Sequence, residues 1–127
     1  MTPPRLDLFV NGTFRSHSGL IMQWKIECDS LTDGDIETLA SIIGDRFSFG
    51  SVFGIPKGGI RLAAALSSYA SKGPRLIVDD VLTTGKSMES ARESDDDIGI
   101  VIFSRAICTP AWISPIFKFG IHSVLSE

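Results

Sequence analysis

The sequence predicts an α/β protein, a trimmed, doubly wound, mostly parallel sheet preceded by a small antiparallel strand pair. Three observations carry this prediction. Leu76-Ile77-Val78 is a continuous apolar run, as expected of a parallel strand buried on both faces. Residues 51–66 and 75–88 each read as an apolar strand, a glycine-rich turn and then a helix. Strand-like and helix-like segments alternate along most of the chain, the pattern that builds α/β architecture.

Taken in order, residues 8–28 suggest the antiparallel pair. Thr32 is placed to cap a helix, with Asp35 three residues on as its capping-box partner. Ile36, Leu39, Ala40, Ile43 and Phe47 then recur at helical spacing, so one face of this helix packs on the sheet. A strand over 51–55, a helix over 59–71, a strand over 75–80, a helix over 85–93 and a strand over 98–103 follow. A last strand is expected near 120–125. Residues 104–119, with three aromatics and two prolines but little helical periodicity, read as an ordered loop. Asp95-Asp96-Asp97 reads as a charged, solvated turn.

At 127 residues the chain fits one domain, 1–127, with a core of ordinary size. Its 43% hydrophobic and 21% charged residues are usual globular values. A net charge of −3 without a basic stripe argues against nucleic acid as a partner. No stretch approaches the roughly 18 apolar residues of a membrane span, and the start lacks a signal-peptide profile. Cys28 and Cys108 lack metal-ligand spacing and read as free thiols of a reducing compartment. These features together predict a cytoplasmic protein.

The segment RLIVDDVLTTGKSM, residues 75–88, carries the most chemistry. Asp79 and Asp80 fall where the strand ends, the edge at which open α/β sheets bind ligands. Thr83, Thr84, Gly85, Lys86 and Ser87 open the next helix, where free N–H groups and the helix dipole favour an anion. Carboxylates for sugar hydroxyls beside donors for a phosphate make a sugar-phosphate site. A Walker A loop is a poor match to Gly85-Lys86-Ser87. That motif needs a glycine at position 80, where this chain has a carboxylate that would repel nucleotide phosphates. Residues Ile55-Pro56-Lys57-Gly58-Gly59 form a second strand-to-helix glycine loop and thus a second anion nest.

Residues 78–87, VDDVLTTGKS, resemble the phosphoribosyl pyrophosphate (PRPP) motif of type I phosphoribosyltransferases. The resemblance implies that Asp79 and Asp80 are the catalytic acids and hold the 2- and 3-hydroxyls of the ribose. It implies that Thr83, Thr84, Gly85, Lys86 and Ser87 bind the 5-phosphate, Lys86 standing where the family usually has a small residue. Residues 51–66 resemble the family's pyrophosphate loop, closest to the orotate phosphoribosyltransferase form. Pro56, Lys57, Gly58 and Gly59 would then bind the diphosphate, through a peptide that is often cis without proline. Residues 12–28 are similar to the orotate-enzyme segment leading into the base site, with Phe14, Ser18, Gly19 and Trp24 in those places. Trp24 would stack on the base and Lys25 would meet a carboxylate or the diphosphate. Trp112 or Phe117 could wall the base, and Arg105 could reach the diphosphate or an acidic substrate. His17, beside Ser18-Gly19, is a weaker candidate for the diphosphate.

What the resemblance implies is a phosphoribosyltransferase, with orotate the leading base and pyrophosphate the leaving group. Mg²⁺ would be the cofactor, held mainly by PRPP and water rather than by dedicated protein ligands. A homodimer is implied as well. The chain departs from the family in one respect. Only Ile60–Arg75 separate the two loops, too few for the family's extra strand and mobile catalytic loop. The alternative is therefore a non-catalytic PRPP- or nucleotide-binding module or sensor.

Overall fold

The computed structural model describes residues 9–15, 21–26, 28–106 and 108–118, the first two segments as backbone only. Strands β1 (Phe9–Arg15) and β2 (Ile21–Ile26) pair antiparallel in a separate two-stranded ribbon, with a register shift between Asn11 and Phe14. Helix α1 (Asp33–Arg46) begins with the capping box read from the sequence. Thr32 Oγ1 accepts from the Asp35 N–H at 3.0 Å, and the Asp35 carboxylate accepts from the Thr32 N–H at 2.9 Å. Both bonds satisfy helix-end groups that would otherwise need water.

The main sheet contains β3 (Ser51–Gly54), β4 (Arg75–Leu82), β5 (Ile98–Ser104) and β6 (Ile113–Lys118), in that spatial order and all parallel. Helices α2 (Ile60–Leu66) and α3 (Lys86–Ala91) complete the regular elements. Alternate residues of β4 and β5 feed opposite faces, the period-two rule of a strand. Leu76, Val78, Ile100 and Ile102 meet α1 and α2 through Ile36, Leu39, Ala40, Ile43, Leu62 and Leu66. Ile77 and Val101 instead meet Met88 of α3, with Ile113, Ala106 and Trp112. Both faces are covered, which is why the central strands read as unbroken apolar runs.

Three boundaries move in instructive ways. The helix expected over 59–71 is α2 followed by a 3₁₀ turn, Ser67–Tyr69, which tightens its last carbonyls. The strand expected over 75–80 continues to Leu82, so Asp79 and Asp80 lie inside β4 rather than at its tip. The larger correction concerns 104–119. Ile113–Lys118 is a strand, not loop, paired in parallel with β5. Among the described residues β6 is the last strand of the sheet, and an edge tolerates a missing N–H, so Pro115 can sit opposite Val101. Ile113, Pro115 and Phe117 have the period of a strand, a pattern masked by the proline and aromatic content. The strand expected near 120–125 lies outside the described residues. Among the described residues, no helix is long and apolar enough to cross a membrane.

The topology has one irregular hand. The connections β3–α2–β4, β4–α3–β5 and β5–β6 all step the same way across the sheet. The last two run over the α3 face, whereas α2 lies on the α1 face. Connections that step the same way on opposite faces have opposite hands, so β3–α2–β4 is the odd one out. Helix α2 has the hand expected of one leading outward, to a strand beyond β3.

At the amino edge of the sheet, Arg75 and Asp97 organise the connections. The buried Asp97 carboxylate accepts from the Glu93 and Ser94 N–H groups at 2.8 and 3.2 Å and lies 3.7 Å from Arg75. Arg75 also pairs with Glu93 at 2.8 Å and lies over the Phe53 ring at 5.0 Å. The acid read as the end of a solvated run is therefore structural. Asp97→Ala strands two donors and weakens the Arg75 cluster. Urea unfolding should show a loss of about 1–3 kcal/mol, against a negligible change for the exposed neighbour Asp96→Ala.

Candidate functional site

Strand β3 stops at Gly54, paired with Val78, while β4 runs on to Leu82. The chain leaving β3 therefore lies beside the last residues of β4. The Ile55 N–H still bonds to the Val78 carbonyl at 2.9 Å, and the loop then turns through Gly59 N–H to Ile55 O at 2.7 Å. Within it the Pro56–Lys57 peptide is cis, in the loop where the resemblance implies such a peptide. A Cβ on Gly58 would collide with the carboxyl group of Asp80, so only glycine lets this loop lie against that acid. The two segments singled out from the sequence, twenty-odd residues apart, are thus in direct contact.

The second loop follows β4. Gly85 has φ +85°, the left-handed conformation that glycine adopts freely, and it carries the chain into α3. Thr84 Oγ1 lies 3.4 Å from the Lys86 N–H. Among the described residues, the N–H groups of Gly58, Thr84 and Gly85 have no hydrogen-bond acceptor. Lys57, Lys86 and Ser87 are exposed beside them. Donors without acceptors next to mobile cations suit anions.

Between the loops stand the two carboxyl groups. The Asp80 N–H donates to Asp79 Oδ1 at 2.8 Å, and the Val81 N–H donates to Asp80 Oδ1 at 2.7 Å. The pKa of Asp79 is pushed up to about 8, first by burial, then by the Asp80 charge and a side-chain hydrogen bond with Asp80. The Asp80 backbone N–H opposes the rise. A carboxyl whose proton is held up to about 8 can donate to a hydroxyl as well as accept from one.

Arg105 completes this edge. Its N–H donates to the Leu82 carbonyl at 2.8 Å, which seats it beside Thr83, and partial burial lowers its guanidinium pKa. The adjoining Ser104 hydroxyl is fully buried, lies 3.4 Å from Thr109 Oγ1 and accepts from the Ala106 N–H at 3.3 Å. That hydroxyl turn shapes the loop carrying Arg105. A serine closing an apolar run was its only sequence signal.

Trp112 is not brought to the site. It immediately precedes β6, and its carbonyl accepts from Gly99 N–H at the start of β5, so it lies at the opposite, amino edge. Its indole Nε1 donates to Glu89 at 2.9 Å, and Arg92 covers the ring at 4.7 Å. Its work is structural. Phe117 lies near the carboxyl end of β6, half exposed, with its ring 5.5 Å from that of Phe103. The side chains of Phe14, Trp24 and Lys25, and residues His17, Ser18 and Gly19, lie outside the described residues.

A parallel sheet whose first described strand opens a cis glycine loop and whose second carries an acid pair into a phosphate-type loop has the type I phosphoribosyltransferase fold. Solved structures agree. Orotate phosphoribosyltransferase from Aeropyrum pernix superimposes with a TM-score of 0.67 at 19% identity, over 94% of this chain and 92% of that one. The orotate phosphoribosyltransferase of Mycobacterium tuberculosis H37Rv in complex with inorganic phosphate gives 0.60 at 16% identity, over 86% and 87%. Leishmania donovani UMP synthase gives 0.70 at 17% identity; there the match spans 94% of this chain but only 35% of the larger protein. The fold is therefore that of orotate phosphoribosyltransferase-like proteins. No protein-family model and no curated sequence matches the chain.

Two predictions follow from the acid pair. Because the folded pKa of Asp79 lies above its unfolded value of 3.8, the folded state binds the extra proton between those values. Its stabilising effect is complete below about pH 4 and is lost as pH rises through about 8. The melting temperature should fall between pH 5 and 8, and Asp79→Asn, a neutral mimic, should flatten that slope. Gly58→Ala should push the Asp80 carboxyl aside, read as shifts of the Asp80 and Val81 amide signals in NMR with circular dichroism unchanged.

Proposed function

We propose that the protein transfers the phosphoribosyl group of PRPP to a ring nitrogen of a nucleobase, releasing pyrophosphate, and that orotate is the base. The observation that carries this reading is the contact between the Gly58 loop and Asp80. It joins the first glycine loop to the acid pair that leads into the second, which supports reading them as sites for the diphosphate, the ribose and the 5-phosphate of PRPP. The orotate enzymes among the structural neighbours support both the ligand and the base.

In this reading Asp79 and Asp80 hold the ribose hydroxyls. Thr83, Thr84, Gly85, Lys86 and Ser87 bind the 5-phosphate. Pro56, Lys57, Gly58 and Gly59 bind the diphosphate, with Lys57 neutralising charge as the C1–oxygen bond breaks. The base nitrogen then bonds to C1 from the opposite face, through an oxocarbenium-like transition state. The protein contributes positioning and fixed charge rather than covalent chemistry. Arg105, at the same edge, is the cation for an acidic base such as orotate. Trp24 and Lys25 remain base-site candidates by resemblance.

Mg²⁺ is the cofactor in this reading; bound with PRPP it would supply positive charge to the leaving diphosphate, with Asp79 and Asp80 the carboxyl groups nearest to it. Among the described residues no group of three His, Cys, Asp or Glu side chains could hold a metal ion. We place the protein in the cytoplasm, as a one-domain homodimer.

Phosphorus NMR of PRPP with Mg²⁺, protein and a panel of bases tests the reading. Orotate should drive pyrophosphate release and a new nucleotide signal, and Asp80→Asn should slow this about a hundredfold or more. PRPP resonances that shift but never convert with any base would leave a binding module in place of the transferase.

A further inference from the structure

We infer that Thr109 and Pro110 are positioning residues for the second glycine loop, bracing it for the 5-phosphate without touching the ligand themselves. The inference rests on the PRPP-binding reading above and deepens it at one end of the site.

The turn between β4 and α3 is held at both ends by the chain that leaves β5. At its start, the Arg105 N–H donates to the Leu82 carbonyl at 2.8 Å. At its end, Pro110 stands beside Gly85. A Cβ on Gly85 would lie 3.6 Å from Pro110 Cγ and 3.6 Å from Leu82 Cδ1, so this left-handed glycine is bounded by two apolar side chains at ordinary contact distance. The N–H groups of Thr84 and Gly85, the donors offered to a phosphate, fall between the two supports.

Pro110 is itself fixed in place. Its ring restricts its own φ, and its carbonyl accepts from the N–H of Ile113, the first residue of β6, at 3.0 Å. The preceding Thr109 hydroxyl lies 3.4 Å from that of Ser104, which is fully buried and also accepts from the Ala106 N–H at 3.3 Å. Thr109 thereby ties Pro110 back to the end of β5. The glycine that permits the turn also loosens it, because glycine has the most backbone freedom to lose. A loop whose freedom is already lost on folding binds its ligand more tightly than one ordered by the ligand. The first glycine loop has a separate support, the Asp80 carboxyl against Gly58 and the Ile55–Val78 hydrogen bond. The brace therefore acts on one phosphate site and leaves the other alone.

Two fragments of PRPP distinguish the sites. Ribose 5-phosphate probes the acid pair and the second loop, and pyrophosphate with Mg²⁺ probes the first. Calorimetry on the full-length protein should show Pro110→Ala and Thr109→Val each weakening ribose 5-phosphate about fivefold or more, with pyrophosphate binding unchanged. Thr109→Ser keeps the hydroxyl and should bind ribose 5-phosphate as the wild type does. The amide NMR signals of Thr84 and Gly85 should move in the two weakened variants. Thr109→Val preserves volume, so it decides the matter even where Pro110→Ala fails to fold. Equal weakening of both fragments would overturn the inference in favour of a general loosening of the fold, and unchanged ribose 5-phosphate affinity would overturn it as well. Wild-type protein that binds neither fragment would instead overturn the PRPP-binding reading itself.

Discussion

The arrangement depends on the parallel pairing of a short strand with a longer one. Because β3 ends four residues before β4, the loop leaving β3 must run alongside Asp79 and Asp80, and the Ile55–Val78 bond fixes where it starts. Everything ligand-like is then a matter of register. Shift β3 by one residue and Gly58 no longer faces Asp80, while the inward and outward sides of the strand exchange. The apolar clusters on the two faces hold that register, so the core and the site are set by one constraint.

Much of this could be read from the chain before its fold was known. The helix with Thr32 and Asp35 at its start, the three apolar strand runs of β3, β4 and β5 and the two glycine loops each depend on local pattern, and each has its place in the fold. What failed shared a cause. The 113–118 strand was hidden because proline content is a local signal, whereas an edge position, which makes Pro115 tolerable, is a property of the whole sheet. Trp112 looked like a base wall because it follows a strand in sequence. It lies at the far edge because it also precedes one, and a parallel neighbour begins where the previous strand began. Asp97 looked solvated because its run is acidic. Its burial comes from Arg75, more than twenty residues away, and from the backbone of 93–94.

The site itself was legible as residues but not as geometry. Sequence spacing marks Gly58 as part of a turn, yet says nothing of the acid it must accommodate. Nor can it show that the pKa of Asp79 is pushed up, since that follows from burial inside β4 and from the neighbouring Asp80 charge. Arg105 is a similar case: a lone arginine after an apolar run acquires meaning only from the Leu82 carbonyl that seats it.

The odd hand of the β3–α2–β4 connection has a consequence for association. A helix poised to lead outward, but returning inward, leaves the outer rim of β3 without a neighbour in the sheet among the described residues. Such rims attract strands from other molecules, because their amide and carbonyl groups already point outward. Here the rim is only four residues long, and Phe53, half exposed on it, is shielded by the Arg75 guanidinium rather than by another strand. A short rim beside a charge is poorly suited to chain-to-chain stacking, so Arg75 serves the outer strand as well as the buried Asp97.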